Sequence, residues 1–205
     1  MPKAAKHRGT SGQVITVNEA AFVAGVSPKT VNQAIDREQI RARELPQSTD
    51  RAQRGLDASD AVYLSVREVL APTVWPRLYR FLHGKPLSEL PAEFEVDGVV
   101  LNLERVIQVV QERFRLLGRM AERVETDPEV RSGEPVFRGT RTPVYAIARK
   151  IALGSTTEEL REDYPQLEEG DLELATLYAR VYPPRGRPRT DWARPARKRG
   201  VGGRA

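Results

Sequence analysis

Cysteine is absent from the 205 residues, which excludes disulfides and thiolate metal sites and makes a reducing compartment harmless to the fold. Histidine occurs only as His7 and His83, too few for a histidine-based zinc site, and neither a metal nor a cofactor is expected. Aromatic residues make up 6% of the chain, against 30% charged residues, so any cores are small. No run approaches the roughly 20 apolar residues that span a bilayer. The basic N-terminus is not followed by an apolar stretch, so no signal peptide is read there, and a cytoplasmic protein without membrane contact is expected. Catalytic groupings are also missing: no Ser/His/Asp set, no phosphate-cradling glycine loop and no metal-ligand spacing. The carboxylates of 158–163 and 168–173 read as two solvated acidic helix faces, and the expectation is a protein that is not an enzyme.

What is present is a polarised charge distribution. Residues 1–54 hold 9 Lys/Arg against 5 acids, residues 55–182 hold 16 against 22, and residues 183–205 hold 8 against 1. Two cationic ends flanking an acidic middle favour polyanion binding at the ends.

The first clear pattern runs from Val14 to Ile40. Thr16 or Asn18 caps a short helix with Glu19 in its first turn, and Gly25 ends it in a left-handed conformation. Ser27 then caps a second helix with Pro28 at the tolerated first position. Val31, Ala34 and Ile35 share one face, while Lys29, Thr30, Asn32, Gln33 and Arg37 lie elsewhere with Asp36. Polar groups presented together in this way suit base-edge and phosphate contacts. From Thr16 to Leu70 the residues resemble the excisionase- and MerR-like helix-turn-helix family. The resemblance implies a two-stranded wing, placed at Ile40 to Leu45 and Gly55 to Ala58, with Arg41, Arg43, Arg51 and Arg54 as phosphate contacts. Ser59 is expected to cap the helix that follows, Asp60 to Leu70.

Further along, Trp75 to His83 reads as a helix closed by Gly84, and Glu93 to Leu103 as a hairpin turning at Asp97-Gly98. The longest helical pattern is Leu103 to Val124. Its stripe is Leu103, Val106, Ile107, Val110, Phe114, Leu117, Ala121 and Val124, and Val109, Leu116 and Met120 widen it. Such a helix is either a dimer contact, suited to paired DNA half-sites, or a central scaffold.

The C-terminal third reads as a three-helix unit of homeodomain or helix-turn-helix type. Thr142 is expected to cap a helix from Pro143, with Val144, Ile147, Ala148 and Ile151 as its core face. Ser155 and Glu158 form a capping box for a second helix, and Leu172 and Ala175 anchor a third. Its acidic second and third helices repel phosphate, so protein contact or dimerisation suits the unit better than DNA. Arg141 is expected to be buried and to tie down its turn. Gly133, Pro135, Gly139, Thr140, Arg141, Pro143 and Val144, followed by Tyr164, Pro165 and Leu167, resemble a bacterial family of unknown function whose members occur as VapB-type antitoxins. That resemblance implies a PIN-domain ribonuclease toxin as partner and repression of the antitoxin's own operon. The tail is too poor in apolar residues to fold alone. Arg185, Arg187, Arg189, Trp192, Arg194 and Arg197 would then enter the carboxylate-lined toxin site. Alternatively, Pro184-Arg185-Gly186-Arg187-Pro188 matches an AT-hook core that lies in the minor groove.

The expected architecture is therefore mainly α with short β hairpins. Residues 1–12 form a flexible N-terminus and 13–90 a winged helix-turn-helix domain. Residues 91–124 carry a hairpin and a connecting or dimerisation helix, 125–182 the three-helix domain, and 183–205 the disordered basic tail. The functional expectation is an antitoxin that neutralises a PIN-domain toxin and binds operator double-stranded DNA as a homodimer. Its alternative is a stand-alone DNA-binding transcriptional regulator with a minor-groove arm.

Overall fold

A computed structural model describes residues 14–45, 53–129 and 131–184. The chain divides into two compact units, Met1–Glu122 and Arg123–Ala205. The described residues are mainly helical, with short antiparallel β pairings.

The first unit opens with β1 (Ile15–Thr16) and α1 (Val17–Ala24). Thr16 and Glu19 close a full capping box, Thr16 Oγ1 accepting from Glu19 N–H and Glu19 Oε2 accepting from Thr16 N–H. Gly25 ends α1 at φ 74°, the left-handed position that its lack of a Cβ allows. Ser27 caps α2 (Pro28–Asp36) by accepting from Thr30 N–H at 3.0 Å. Val31 and Ala34 are buried beneath α2, as its spacing predicts, whereas Ile35 is only half-buried.

Next come β2 (Arg43–Leu45) and β3 (Gln53–Leu56), paired antiparallel with Arg43 opposite Gly55 and Leu45 opposite Gln53. β1 adds to the other edge of β3, Ile15 opposite Leu56, for the order β1-β3-β2. Gly55 sits at the centre of this sheet because a Cβ there would run into the side chains of Val14 and Leu45.

Helix α3 (Ala58–Val66) corrects the expected cap: Asp57, not Ser59, is its N-cap. Asp57 Oδ1 accepts from Asp60 N–H at 3.1 Å, and Asp60 Oδ2 accepts from Asp57 N–H at 3.0 Å. The Asp57 carboxylate accepts from the first-turn Asp60 N–H, and the Ser59 hydroxyl donates to Asp57. The expected single helix to Leu70 stops at Val66 and tightens into a 3-10 turn over Arg67–Val69.

α4 (Trp75–Leu82) buries Leu78 and Leu82, and Gly84 follows at φ 77°. The hairpin of β4 (Glu93–Val96) and β5 (Val99–Asn102) turns with Asp97 at φ 51° and Gly98 at φ 79°, the two left-handed residues an Asp-Gly turn requires. α5 (Glu104–Arg123) buries Ile107, Val110, Phe114, Leu117 and Met120 along one stripe. Met120 thus belongs to the stripe, while Val109 is 41% exposed.

In the second unit β6 (Val124–Glu125) pairs antiparallel with β7 (Val136–Phe137). Helices α6 (Val144–Ala152), α7 (Thr157–Asp163) and α8 (Asp171–Val181) follow, and α6 packs on α8. Three expectations are corrected here. The capping box of α7 is Thr156 with Glu159, one residue beyond the expected Ser155 and Glu158, because Thr156 holds the extended backbone that an N-cap needs. α6 has no side-chain cap; Pro143 is its N-cap, and the buried Thr142 hydroxyl accepts from Gln166 Nε2 at 2.8 Å. α8 buries Leu174 with Ala175, leaving the expected anchor Leu172 half-buried.

Candidate functional site

Most of the sequence-selected polar residues fall on one surface of the first unit. Along α2, Lys29, Gln33 and Arg37 are exposed, and Thr30 and Asn32 are half-buried. Arg54, within β3, reaches across to this helix, where its Nη1 donates to Asp36 Oδ1 at 2.7 Å and approaches Asn32 Oδ1 at 3.4 Å. Residues 18 or more apart in sequence are thus joined on one face by a strand-to-helix ion pair.

The bonds distinguish the two amides of α2. Asn32 is engaged twice, its Nδ2 donating to Pro28 O at 3.0 Å while its Oδ1 faces Arg54. Gln33 is exposed and makes no side-chain hydrogen bond to another described residue. Lys29, Arg37 and Arg41 enter no ion pair among the described residues. The backbone N–H of Arg41 donates to the Tyr79 hydroxyl at 2.9 Å, which anchors the chain leaving α2 to α4. Burial pushes that phenol up to about 12, so it stays a neutral hydroxyl throughout the physiological range. Arg43 turns from this face toward Asp57, 3.4 Å away. Asp36, Glu38 and Glu44 lie among these cations, so the surface is mixed rather than uniformly basic. Arg51 lies outside the described residues.

The turn around Gly139 in the second unit is a local hydrogen-bonded device. Gly139 stands at φ 75°, Thr140 N–H and Oγ1 both donate to Phe137 O, and Thr142 N–H donates to Thr140 Oγ1 at 3.1 Å. Pro135 O accepts from Val144 N–H at 3.0 Å, Gly133 stands at φ 79°, and Pro143 bridges back to Val136. Arg141 is exposed, which corrects its expected burial. The arginine that ties this unit together is Arg123, which sequence reading did not single out. Its Nε and Nη2 donate to the two oxygens of Asp171 at 2.9 and 2.8 Å, and its Nη1 donates to Arg138 O at 3.1 Å. The Asp171 hydrogen bonds raise the Arg123 guanidinium above its ordinary value. Asp171 is 2% exposed, so it is not part of a solvated acidic face as its helix suggested. The signal for this pair lay only in a basic residue at the end of α5 and an acid at the first position of α8, far apart in sequence.

The expected tail contacts, Arg185, Arg187, Arg189, Trp192, Arg194 and Arg197, lie outside the described residues. Among the described residues no helix is long and apolar enough to cross a membrane.

The protein-family model that matches residues 124–179 is DUF433, a protein family of unknown function. The match begins at β6 and contains the whole Gly133-to-Leu167 pattern. It corrects both family resemblances: the pattern is that of DUF433 and not of VapB-type antitoxins, and no excisionase or MerR membership accompanies it. With the VapB resemblance goes the antitoxin identity, together with any DNA-binding or toxin-antitoxin label that membership would have conferred. The chain is 30% identical over 196 residues to the uncharacterized protein y4eO of Sinorhizobium fredii (strain NBRC 101917 / NGR234), covering 89% of this chain and 88% of the relative. No solved structure matches the chain. The chain therefore belongs to the family of the uncharacterized protein y4eO, and its second unit carries a DUF433 domain.

Proposed function

We propose that the first unit is a winged helix-turn-helix module that binds double-stranded DNA, and that the protein is a DNA-binding regulator. The observation that carries this reading is the Arg54–Asp36 ion pair, which joins the β2–β3 hairpin to the polar face of α2 as one continuous surface. In this reading α2 enters the major groove, Gln33 meets a base edge, and Lys29, Arg37 and Arg41 meet phosphates. Arg54 neutralises Asp36, the one acid on α2, and so lowers the repulsion that a phosphate would meet there. The hairpin lies beside α2 as the wing. A second copy would present a second α2 to an adjacent half-site, and the exposed Val99, Val100 and Val109 offer apolar surface for such pairing. The PIN-domain toxin was carried by the VapB resemblance and has no support from the DUF433 match or the geometry of the described residues.

The test is fluorescence anisotropy on double-stranded DNA from the protein's own upstream region, beside a scrambled duplex, across a salt series. Lys29→Ala should weaken binding to both duplexes and reduce the salt slope by about one. Gln33→Ala should cost about 1–3 kcal/mol on the preferred duplex and little on the scrambled one. Asn32→Ala should also weaken binding, since it releases Arg54 from its place beside Asp36. Affinities that are the same for all three variants and the parent protein, with circular dichroism unchanged, would remove the DNA reading.

A further inference from the structure

Where α3 begins, three ionisable side chains converge that the DNA reading does not use. Ligand atoms of Asp57, Asp60 and His83 all lie within 4.8 Å of one another. Asp60 is 1% exposed, and its Oδ1 is a buried oxygen without a hydrogen-bond partner; the buried Nδ1 of His83 lacks one as well. These two orphaned atoms face each other at 3.6 Å. That separation is too long for a hydrogen bond. It is close to the edge of about 3.4 Å that two ligands subtend when each is about 2.1 Å from a shared tetrahedral ion.

We propose that Asp57, Asp60 and His83 bind one divalent transition-metal ion of zinc's class, through Asp60 Oδ1, His83 Nδ1 and the Asp57 carboxylate. The remaining lone pairs are already committed in ways that hold these atoms in place. Asp60 Oδ2 accepts from Asp57 N–H, and Asp57 Oδ1 accepts from Ser59 Oγ at 2.6 Å and from Asp60 N–H. Gly84 N–H donates to Ser59 Oγ at 3.1 Å, which pins the backbone next to His83 onto the start of α3. The imidazole stacks on the Tyr79 ring with centroids 4.6 Å apart, which sets the plane from which Nδ1 points inward.

Charge favours a cation at this point. Two carboxylates meet at the start of α3, Asp60 1% exposed and the Asp57 side chain 13% exposed, so their repulsion is only weakly screened by solvent. A divalent ion relieves both the repulsion and the missing hydrogen bonds. The α3 N-terminus opposes a cation, but its cap N–H of Asp60 is already satisfied by Asp57. Arg43, the other cation nearby, is 57% exposed at 3.4 Å from Asp57 and has room to swing into solvent. An imidazole with two carboxylates selects zinc, nickel or cobalt over magnesium or calcium, which prefer oxygen alone.

Isothermal titration of the metal-free full chain with zinc chloride, and cobalt chloride absorption as a second readout, test the site. One ion should bind per chain, and zinc should raise the melting temperature of the parent protein. His83→Gln, at a half-exposed side chain, should weaken binding at least tenfold and abolish the thermal shift. Asp60→Asn should do the same, since its amide oxygen can still accept from Asp57 N–H and keep the cap. Absence of saturable one-to-one binding in the parent overturns the site. Binding that His83→Gln leaves unchanged also overturns it, whatever Asp60→Asn does to folding.

Discussion

Arg123 and Asp171 show how much a single pair can weigh at the residue scale. A nearly buried carboxylate held by two parallel guanidinium hydrogen bonds is stable only while both partners are present. Removing the arginine leaves a charge with 3% of its side chain exposed and no cation beside it, with the Glu168 N–H at 2.8 Å from its Oδ2 as a remaining donor. Arg123→Met is therefore expected to destabilise the second unit by about 3 kcal/mol. Arg141→Ala, at an exposed position, is expected to change it by less than about 0.5 kcal/mol. Urea melts followed by tyrosine fluorescence compare the two; equal losses would show that Arg123 is not the tie. Gly25 is a second decisive residue. A Cβ there would sit 2.5 Å from Arg113 Nη1 and would also have to adopt φ 74°. Arg113 holds Val23 O at 3.0 Å, so Gly25→Ala both strains the backbone and displaces a helix-ending hydrogen bond. A loss of about 1–2 kcal/mol in the first unit is expected, measurable in the same melts.

Among the elements, capping is the sharpest contrast. Gly25, Ser27, Asp97 and Gly98 were legible because their local chemistry has one strong solution, a hydroxyl at an N-cap or a left-handed turn, whereas Thr16 was one of two candidates with Asn18. Where two capping residues stand side by side the sequence is ambiguous, and the structure chose the later one at Ser155-Thr156 and the earlier one at Asp57-Ala58-Ser59. The choice depends on how the preceding chain enters the helix, and tertiary packing sets that. Thr156→Ala is expected to cost about 1 kcal/mol, while Ser155→Ala should be nearly neutral. Hydrogen exchange at the first turn of α7 reads this directly, with faster exchange in Thr156→Ala alone. The polar face of α2 was legible from its spacing. Its joining to Arg54 was not, because an ion pair between residues 36 and 54 follows from the β2–β3 register. The Asp57, Asp60 and His83 cluster was missed for a similar reason: only the packing of α4 beside the start of α3 places His83 there.

On the scale of the whole molecule, the chain is two units whose helix surfaces differ in charge. The first carries the mixed basic surface of α2 and β3, and the second carries the exposed acids of α7. Phosphate is repelled by the acidic α7 and drawn to the cations around α2, so under the proposed function DNA contact is confined to the first unit and the tail. Ending the chain at Pro184 should therefore lower DNA affinity and flatten its salt dependence. Arg123→Met should leave affinity unchanged at temperatures below its melt. Anisotropy titrations at two salt concentrations check both, and a truncated chain with the full salt slope would remove the tail from the DNA reading.

The sequence by itself determined the order and type of the main elements, the Asp-Gly hairpin, the apolar stripe of α5 and the charge asymmetry. All of these depend on neighbours within about a helical turn or a hairpin, where propensity and periodicity act. Only the tertiary structure decided which arginine ties the second unit together, which acid it holds, how Arg54 meets α2 and where His83 lies. Such contacts join residues that chain separation leaves independent until the cores bring them together, and the low-dielectric surroundings that give them their strength exist only after folding.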